Sequence, residues 1–517
     1  MKTTPHRLLA GVLAMTTALV ASACSSGGEQ GPSDNELTVM APLFGTAPAP
    51  DGEMQKAVEK LAGKKLKVTW VPNAEYGDKT NVTLASDRIP DVMVIQDQKT
   101  PSFVKAAEAG AFWDLTDKLD KYPNLKPRNE QTRLNSSTNG RNFGVYRVRP
   151  LLRSAVLLRK DWLDKLGLDL PKTTDDLYAV AKAFTEKDPD GDGKKDTYGL
   201  IIPKWPTPVF NSANPYNAVD VWFGAPNGFG ERGGKLVPEF DTPEFFEANR
   251  YLKKMVDEGL VNPDFATLDA GKWNDPFVQG KGGIIIDVNV RATQLYGLLK
   301  EKDPEHYTEM LAMTGNLSRP DGKKFSLPFT GYNGVIAISK QNIRTEAQLD
   351  DVLKVLDRLA SKQGAILLTN GIEGRNFEVE GGYAVRINED DPAVKTINND
   401  VDWAFIQLGT TASVGVGGDA YELKPASRAE QDNLKLRKEL EALDLQTAVH
   451  DPTLPYVSPT LTAKGATLNP VVTDARVKYL AGEITEEQLK AEIKRWYDGG
   501  GSQVVTEFQD LIAKGGN

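Results

Sequence analysis

The chain has 517 residues, 40% of them hydrophobic and 26% charged, and a formal net charge of −9. That length exceeds one ordinary domain and predicts two lobes, while the negative balance excludes nucleic acid as a partner, which would need a basic face. One cysteine and three histidines leave little material for Ser-His or Cys-His catalysis, or for zinc and iron sites.

Met1 to Arg7 is basic, Leu8 to Val20 is apolar and uncharged, and Ala21-Ser22-Ala23 leads into Cys24. This layout predicts a secretory signal over residues 1–23, not a spanning helix. Small residues closing on a cysteine resemble the lipobox of bacterial lipoproteins. That implies lipidation at Cys24, with a palmitate-type acyl chain, and a protein held on the extracytoplasmic face of the cell membrane. As the single cysteine, Cys24 has no partner for an internal disulfide. Residues 24–36 are small, polar and glycine-rich, the composition of a flexible tether.

The folded part predicts a strand at Leu37–Met40, a helix at Glu53–Leu61 and an alternating strand at Leu66–Val71. A helical stretch at Tyr76–Ser86 and a short buried strand at Asp91–Ile95 follow. Strand, helix, strand, helix, strand is the pattern of an α/β lobe with a mainly parallel sheet. Later, Thr173 to Asp176 precedes the apolar face Leu177, Val180, Ala181 and Phe184. Thr242-Pro243 opens a helix that stops at Gly259. Leu349, Val352, Leu353, Leu356 and Leu359 mark another buried helix face. Ser427 with Glu430, and Thr485 with Gln488, are capping-box pairs.

The sharpest local motif is Asp188-Pro-Asp190-Gly-Asp192-Gly-Lys-Lys-Asp196. Oxygen donors at alternate positions wrap a hard cation, and a glycine at the sixth position permits the sharp turn. We therefore expect a structural calcium ion held by Asp188, Asp190, Asp192, the Lys194 carbonyl and Asp196. The twelfth position is Gly199, not the glutamate of an EF-hand, so the shell must close differently.

Trp205, Tyr216, Trp222, Trp273, Tyr332 and Trp403 lie in or near stretches rich in Pro, Asn and Gly. Sugar rings have apolar faces that stack on aromatics and hydroxyl rims that take polar side chains. One or two of the six are expected to face a ligand, the others to fill core. Gly228-Phe-Gly230-Glu-Arg-Gly233 matches the dinucleotide pattern, but no strand leads in and no helix follows, which predicts a chance match in a loop.

Several segments in order resemble the bacterial extracellular solute-binding proteins of family 1, the sugar-binding lipoproteins of ABC importers. They include Ile89 to Ile95, Ala109 to Leu115, Leu158 to Gly167, Pro171 to Thr173, Asp188 to Gly199, Asp257 to Asp264 and Gly371 to Gly374. The aspartate loop resembles that of the LipO-like and alginate-oligosaccharide-binding subgroup. The resemblance implies an α/β, two-lobed, periplasmic-binding-protein-like fold of type II, with a ligand cleft at a multi-crossing hinge. It places lobe 1 at 37–150 and 310–338 and lobe 2 at 154–308 and 340–517. Crossings are expected near Arg149–Ser154, Glu309–Thr314 and Ser339.

The implied function is capture of a carbohydrate, an oligosaccharide by expectation, through hinge closure and delivery to permease subunits. The protein would be a monomer and not an enzyme. Matching segments suggest Gln96, Asp97, Arg147, Arg149, Trp205, Trp222, Asp287, Arg291, Tyr332 and Trp403 as ligand contacts. Arg147, Arg149 and Arg291 would suit an anionic sugar. The rival readings are a surface-tethered polysaccharide-degrading enzyme and a binder of a non-sugar ligand such as a peptide.

Overall fold

The computed structural model describes residues 35–86, 88–205, 214–410 and 419–515; the signal, Cys24 and most of the tether lie outside the described residues. Two separate sheets organise the chain. The first has five strands in the order Lys65–Pro72, Glu36–Leu43, Val92–Ile95, Tyr332–Ile338 and Val145–Val148. The first three run parallel, as the strand–helix alternation predicts, and the last two pair antiparallel. Successive strand residues point to opposite faces. Val92, Val94, Ile336 and Ile338 therefore enter one core, while Met93, Ile95, Val335 and Ala337 enter another on the far side. A sheet buried on both faces explains why these strands read as continuous apolar runs.

The second sheet has four strands, Leu311–Thr314, Ser154–Arg159, Gly282–Val288 and Tyr198–Leu200. It repeats the two-faced design. Val156, Leu158, Ile284 and Ile286 face one core; Ala155, Leu157, Ile285 and Met313 face the other. The C-terminal helices Pro459–Leu480, Glu486–Trp496 and Ser502–Gly515 add Leu468, Val472, Ile493, Trp496 and Phe508 to this lobe.

The division of the chain between lobes differs from the expectation in two places. Leu311–Thr314 pairs with Ser154–Arg159, so the stretch from 310 begins in the second lobe, and the chain crosses back between Thr314 and Tyr332. The strand ending at Ile338 does not lead out of the first lobe. Helix Glu346–Ala360 buries Leu349, Val352, Leu353 and Leu356 in the first core, as do Ile397, Val401, Phe405 and Leu408 further on. Residues 340–408 thus belong with the first lobe, and the return lies between Leu408 and helix Arg428–Asp444, whose Leu436 and Leu440 pack on the second. The physical reason is that the apolar stripe of Glu346–Ala360 needs a sheet face, and the first sheet offers the one beside it. Sequence periodicity shows the stripe but not which sheet covers it.

The crossings are joined to one another. Arg149 N donates to Gly331 O (2.8 Å) and Phe329 N to Leu151 O (2.7 Å), which pairs the first two crossings. Ser326 N donates to Thr447 O (2.8 Å) and Val449 N to Ser326 O (3.0 Å), an isolated parallel bridge that fastens the segment after helix Arg428–Asp444 to the second crossing.

Local start signals hold closely. Thr173 and Asp176 form a reciprocal capping box, as do Thr485 and Gln488. Ser427 caps the Glu430 N–H, but the Glu430 carboxylate reaches Ala426 N and the Ser427 hydroxyl, so that box is half formed. The segment from Gly228 to Gly233 is a correction: it leads into and forms strand Phe229–Arg232 of a hairpin with Lys235–Pro238, and it is not a loop. Among the described residues no helix is long and apolar enough to cross a membrane.

Candidate functional site: a cleft between the lobes

A cavity of about 580 Å³ opens where the two lobes meet. The first lobe contributes Phe44, Asn333, Asp402, Trp403 and Gln407. The second contributes Val290, Tyr296, Asn433, Leu434 and Arg437. Arg149 and Arg153 come from the first crossing, and Glu422, Leu423 and Lys424 from the third. The site is therefore built by the ends of strands, by helix termini and by the hinge itself, where open α/β sheets place ligands.

The rim is apolar and uncovered. Trp403 is 48% exposed and Phe44 46%, and Val290 and Leu423 are exposed beside them. The two aromatics are fixed relative to one another. Phe44 N donates to Trp403 O at 3.0 Å. A Cβ on Gly45 would meet Trp403 Cβ at 2.8 Å, so a larger residue there would displace the indole. Leaving two large rings in water costs folding free energy and is the signature of a contact surface.

A break in the first sheet aims Asn333 into the cleft. The register between Tyr332–Ile338 and Val145–Val148 shifts between Tyr332 and Val335. Gly334 carries it with φ of +76°, and any Cβ there would strike Ile95 O. This is a glycine bulge, which bends the strand at the point where it reaches the ligand space.

Several charged groups of the cleft are paired within the protein. Asp402 is bound by Arg386 (2.6 Å) and Lys424 by Glu380 (2.6 Å). Glu430 accepts from Tyr307 Oη at 3.0 Å. Burial pushes the Arg149 guanidinium down to about 10, with the neighbouring Arg153 charge adding to the effect. Burial lowers Arg153 and Arg437 as well; Asp287 and Glu441 oppose it at Arg153, and Glu422 and Glu441 oppose it at Arg437.

Of the expected ligand contacts, Arg149 and Trp403 line this cavity. The others are placed elsewhere. Arg147 is 1% exposed and donates to Gly409 O, Asn333 O and Gln407 Oε1, tying the 407–409 segment to the sheet. Trp222 is fully buried, with its Nε1 donating to Asn316 Oδ1 at 2.8 Å. Trp205 packs edge-on against Trp273 at 5.5 Å, and Arg291 lies over Trp273 at 4.2 Å. Arg291 also pairs with Asp287 and donates to Asn274 Oδ1, so both charges are consumed internally. Tyr332 Oη accepts from Gln98 Nε2 at 2.6 Å. Gln96 and Asp97 are exposed; Gln96 donates to Asn73 Oδ1 and Asp97 accepts from Lys99 N.

Sequence reasoning missed Phe44, Arg153 and Arg437. Phe44 follows directly on a strand end, a position that carries a signal. Arg437 sits on the polar helix Arg428–Asp444 and carries none.

In the aspartate loop, carboxylate oxygens of Asp188, Asp190 and Asp192 lie within 4.8 Å of one another. Gly191 N and Gly193 N donate to the Asp188 carboxylate, and Gly193 has φ of +80°. Burial and the neighbouring Asp188 and Asp192 charges push the Asp190 carboxyl up. Asp196 departs from the expectation. It is taken by Lys281 at 2.7 Å and lies outside the three-carboxylate group.

Residues 46–307 match the bacterial extracellular solute-binding protein family. The chain is 38% identical over 484 residues to the lipoprotein LipO of Bacillus subtilis, covering 93% of this chain and 92% of LipO. It is 33% identical to the polygalacturonan/rhamnogalacturonan-binding protein YtcQ of the same organism, covering 98% of each. The chain belongs to this solute-binding family. In fold it is similar to a human-milk-oligosaccharide-binding, ABC-transporter-associated solute-binding protein of Bifidobacterium longum infantis. That structure gives a TM-score of 0.70 at 21% identity, covering 92% of this chain and 98% of that one.

Proposed function

We propose that this protein is the substrate-capturing lipoprotein of a bacterial ABC importer, and that it holds an oligosaccharide between its lobes. The observation that carries the reading is the pair of exposed rings, Phe44 and Trp403, at the mouth of an interlobe cleft with polar walls. Apolar sugar faces stack on such rings while hydroxyls take Asn333, Gln407 and Asn433. The name of YtcQ, which covers nearly the whole chain, supports a carbohydrate. The mechanism is a binding equilibrium. Ligand touching both lobes stabilises the closed form, and the paired crossings at 149–151 and 326–331, with the 447–449 segment bonded beside them, supply the hinge. The closed form is the one a permease would recognise.

The Asp188–Asp192 turn supports a calcium ion with a structural role, held by Asp188, Asp190 and Asp192, with Asp196 released to Lys281. Cys24 supports a lipid anchor, which keeps the receptor at high local concentration beside its permease. Cys24→Ser is expected to release a soluble protein with unchanged sugar affinity, read by membrane fractionation and calorimetry; retention in the membrane fraction contradicts the anchor.

Thermal shift and product analysis with a panel of oligosaccharides test the main reading. Stabilisation without cleavage is expected. Sugar cleavage by the pure protein overturns it, as does stabilisation by peptides alone.

A further inference from the structure

We propose that the turn Thr138–Arg141 is a latch between the lobes: it grips residues 455–457 in the open arrangement, is released when the cleft closes, and so sets how readily a ligand can close it. This rests on the hinge-closure reading above and names a control on that same site. The latch begins in the sequence. Asn139-Gly140 is a pair that two-residue hairpin turns favour, because both central residues must take positive φ. Asn139 has φ of +51° and Gly140 of +78°, and Thr138 and Arg141 exchange both backbone hydrogen bonds, at 2.8 and 3.1 Å. The turn is fixed to the first lobe. Thr138 is buried, its hydroxyl donates to Gln98 O at 3.4 Å, and Asn139 Nδ2 donates to Glu108 Oε1 at 3.2 Å.

From there it bonds the second lobe. Val457 N donates to Asn139 Oδ1 at 3.0 Å, Ser137 Oγ to Pro455 O at 3.4 Å, and Gly140 N to the same oxygen at 3.5 Å. The receiving segment is as firmly held on its own side. Tyr456 packs on the second-lobe core, Ser458 caps helix Pro459–Leu480, and the Glu507 carboxylate accepts from Ser458 Oγ and Thr460 N.

The contact stands apart from the crossings, and no packed interface backs it. Beside it the lobes leave a groove of about 930 Å³, walled by Thr116, Leu119 and Leu134 of the first and by His450, Pro452 and Ile512 of the second. Helix Glu130–Asn135, on one wall, bonds the second crossing through Asn135 Nδ2 and Thr330 O at 3.0 Å. The groove shares no lining residue with the cleft, so the two flank the crossings separately. A rotation about the crossings that narrows the cleft changes the spacing across the groove, and neither rigid side of the latch can follow the other. The grip is made while Phe44 and Trp403 stand about half exposed at the cleft mouth, so it belongs to the open arrangement. A contact made in one of two states shifts the balance toward that state.

The test is single-molecule fluorescence energy transfer on the mature chain carrying Cys24→Ser. Labels sit on cysteines introduced at Asp78 of the first lobe and Glu301 of the second, both exposed and outside the cleft. Asn139→Gly keeps the positive φ and removes the amide that bonds Val457. Without any sugar, its minor, closed population is expected to rise about fivefold over the parent, the worth of one hydrogen bond. Calorimetry with α-1,4-trigalacturonate as the probe should show binding tightened by a similar factor. Asn139→Asp combined with Glu108→Gln keeps an acceptor for Val457 N and a partner within the first lobe, and should behave as the parent. Thermal melting checks that each variant folds; if Asn139→Gly does not, Ser137→Ala, which removes the hydroxyl on Pro455 O, takes its place. Unchanged distance distributions overturn the latch, and so does a loss of the closed population. If trigalacturonate does not bind, the sugar-free distributions decide alone, and that failure bears on the carbohydrate reading and not on the latch.

Discussion

At the residue scale, two tryptophans show how identical side chains take opposite roles. Trp222 is enclosed and its indole N–H is satisfied by Asn316. Trp403 is half exposed on the rim of the cleft. Trp222→Ala is therefore expected to cost about 3–5 kcal/mol of stability through the cavity it leaves, measured by denaturant unfolding. Trp403→Ala should leave the unfolding curve nearly unchanged and weaken oligosaccharide binding about tenfold, measured by calorimetry. Equal effects of the two variants on stability would contradict this division. In the sequence both sit near polar and glycine-rich stretches, and nothing local separates them. The same holds for the arginines. Arg147 and Arg149 are two residues apart on one strand and its exit, yet one is locked to 407–409 and the other lines the cleft.

At the element scale, the aspartate loop is the clearest case of local sequence deciding local geometry. Glycines at 191 and 193 take positive φ, Asp188 accepts their N–H groups, and three carboxylates converge. Three acids this close repel one another, which a divalent cation would offset. Chelation is expected to lower the melting temperature by about 5 °C, and Asp190→Ala to reproduce that loss and abolish the response to chelator. An unchanged melting curve in chelator would remove the ion from this loop. Asp196 was legible as a ligand by spacing, but Lys281, 85 residues away, holds it in the fold. Spacing along the chain cannot register a partner that distant. Helix ends were the most readable feature, because a cap is made within four residues.

At the scale of the whole molecule, one buried cluster makes stability depend on pH. Asp220 and Glu239 are fully buried beside a single guanidinium, Arg476, which contacts Asp220 at 2.7 Å and stands 4.0 Å from Glu239. Burial and the Asp220 charge push Glu239 well above the ordinary carboxylate range. A carboxyl raised in the folded state binds its proton more tightly there than when unfolded. Its stabilising contribution is full below the unfolded value, near 4.5, and is lost as pH rises toward the folded value. Glu239→Gln, which keeps the neutral shape, should flatten this decline. Melting temperatures of the two proteins compared from pH 4.5 to 8 check it: the variant should gain on the parent as pH rises. A parent that gains on the variant instead would mean Glu239 is ionised.

Features settled within a few residues of one another are legible in the sequence. It set the strand–helix–strand opening, the helix caps, the acidic turn and the apolar stripe of helix Glu346–Ala360. The tertiary structure alone decided which lobe covers that stripe, where the chain recrosses and which side chains meet in the cleft. Phe44, Arg153, Trp403 and Arg437 are brought to one cavity from four separated segments. Such a site has no sequence period, because its residues are neighbours only after two lobes and three crossings are in place.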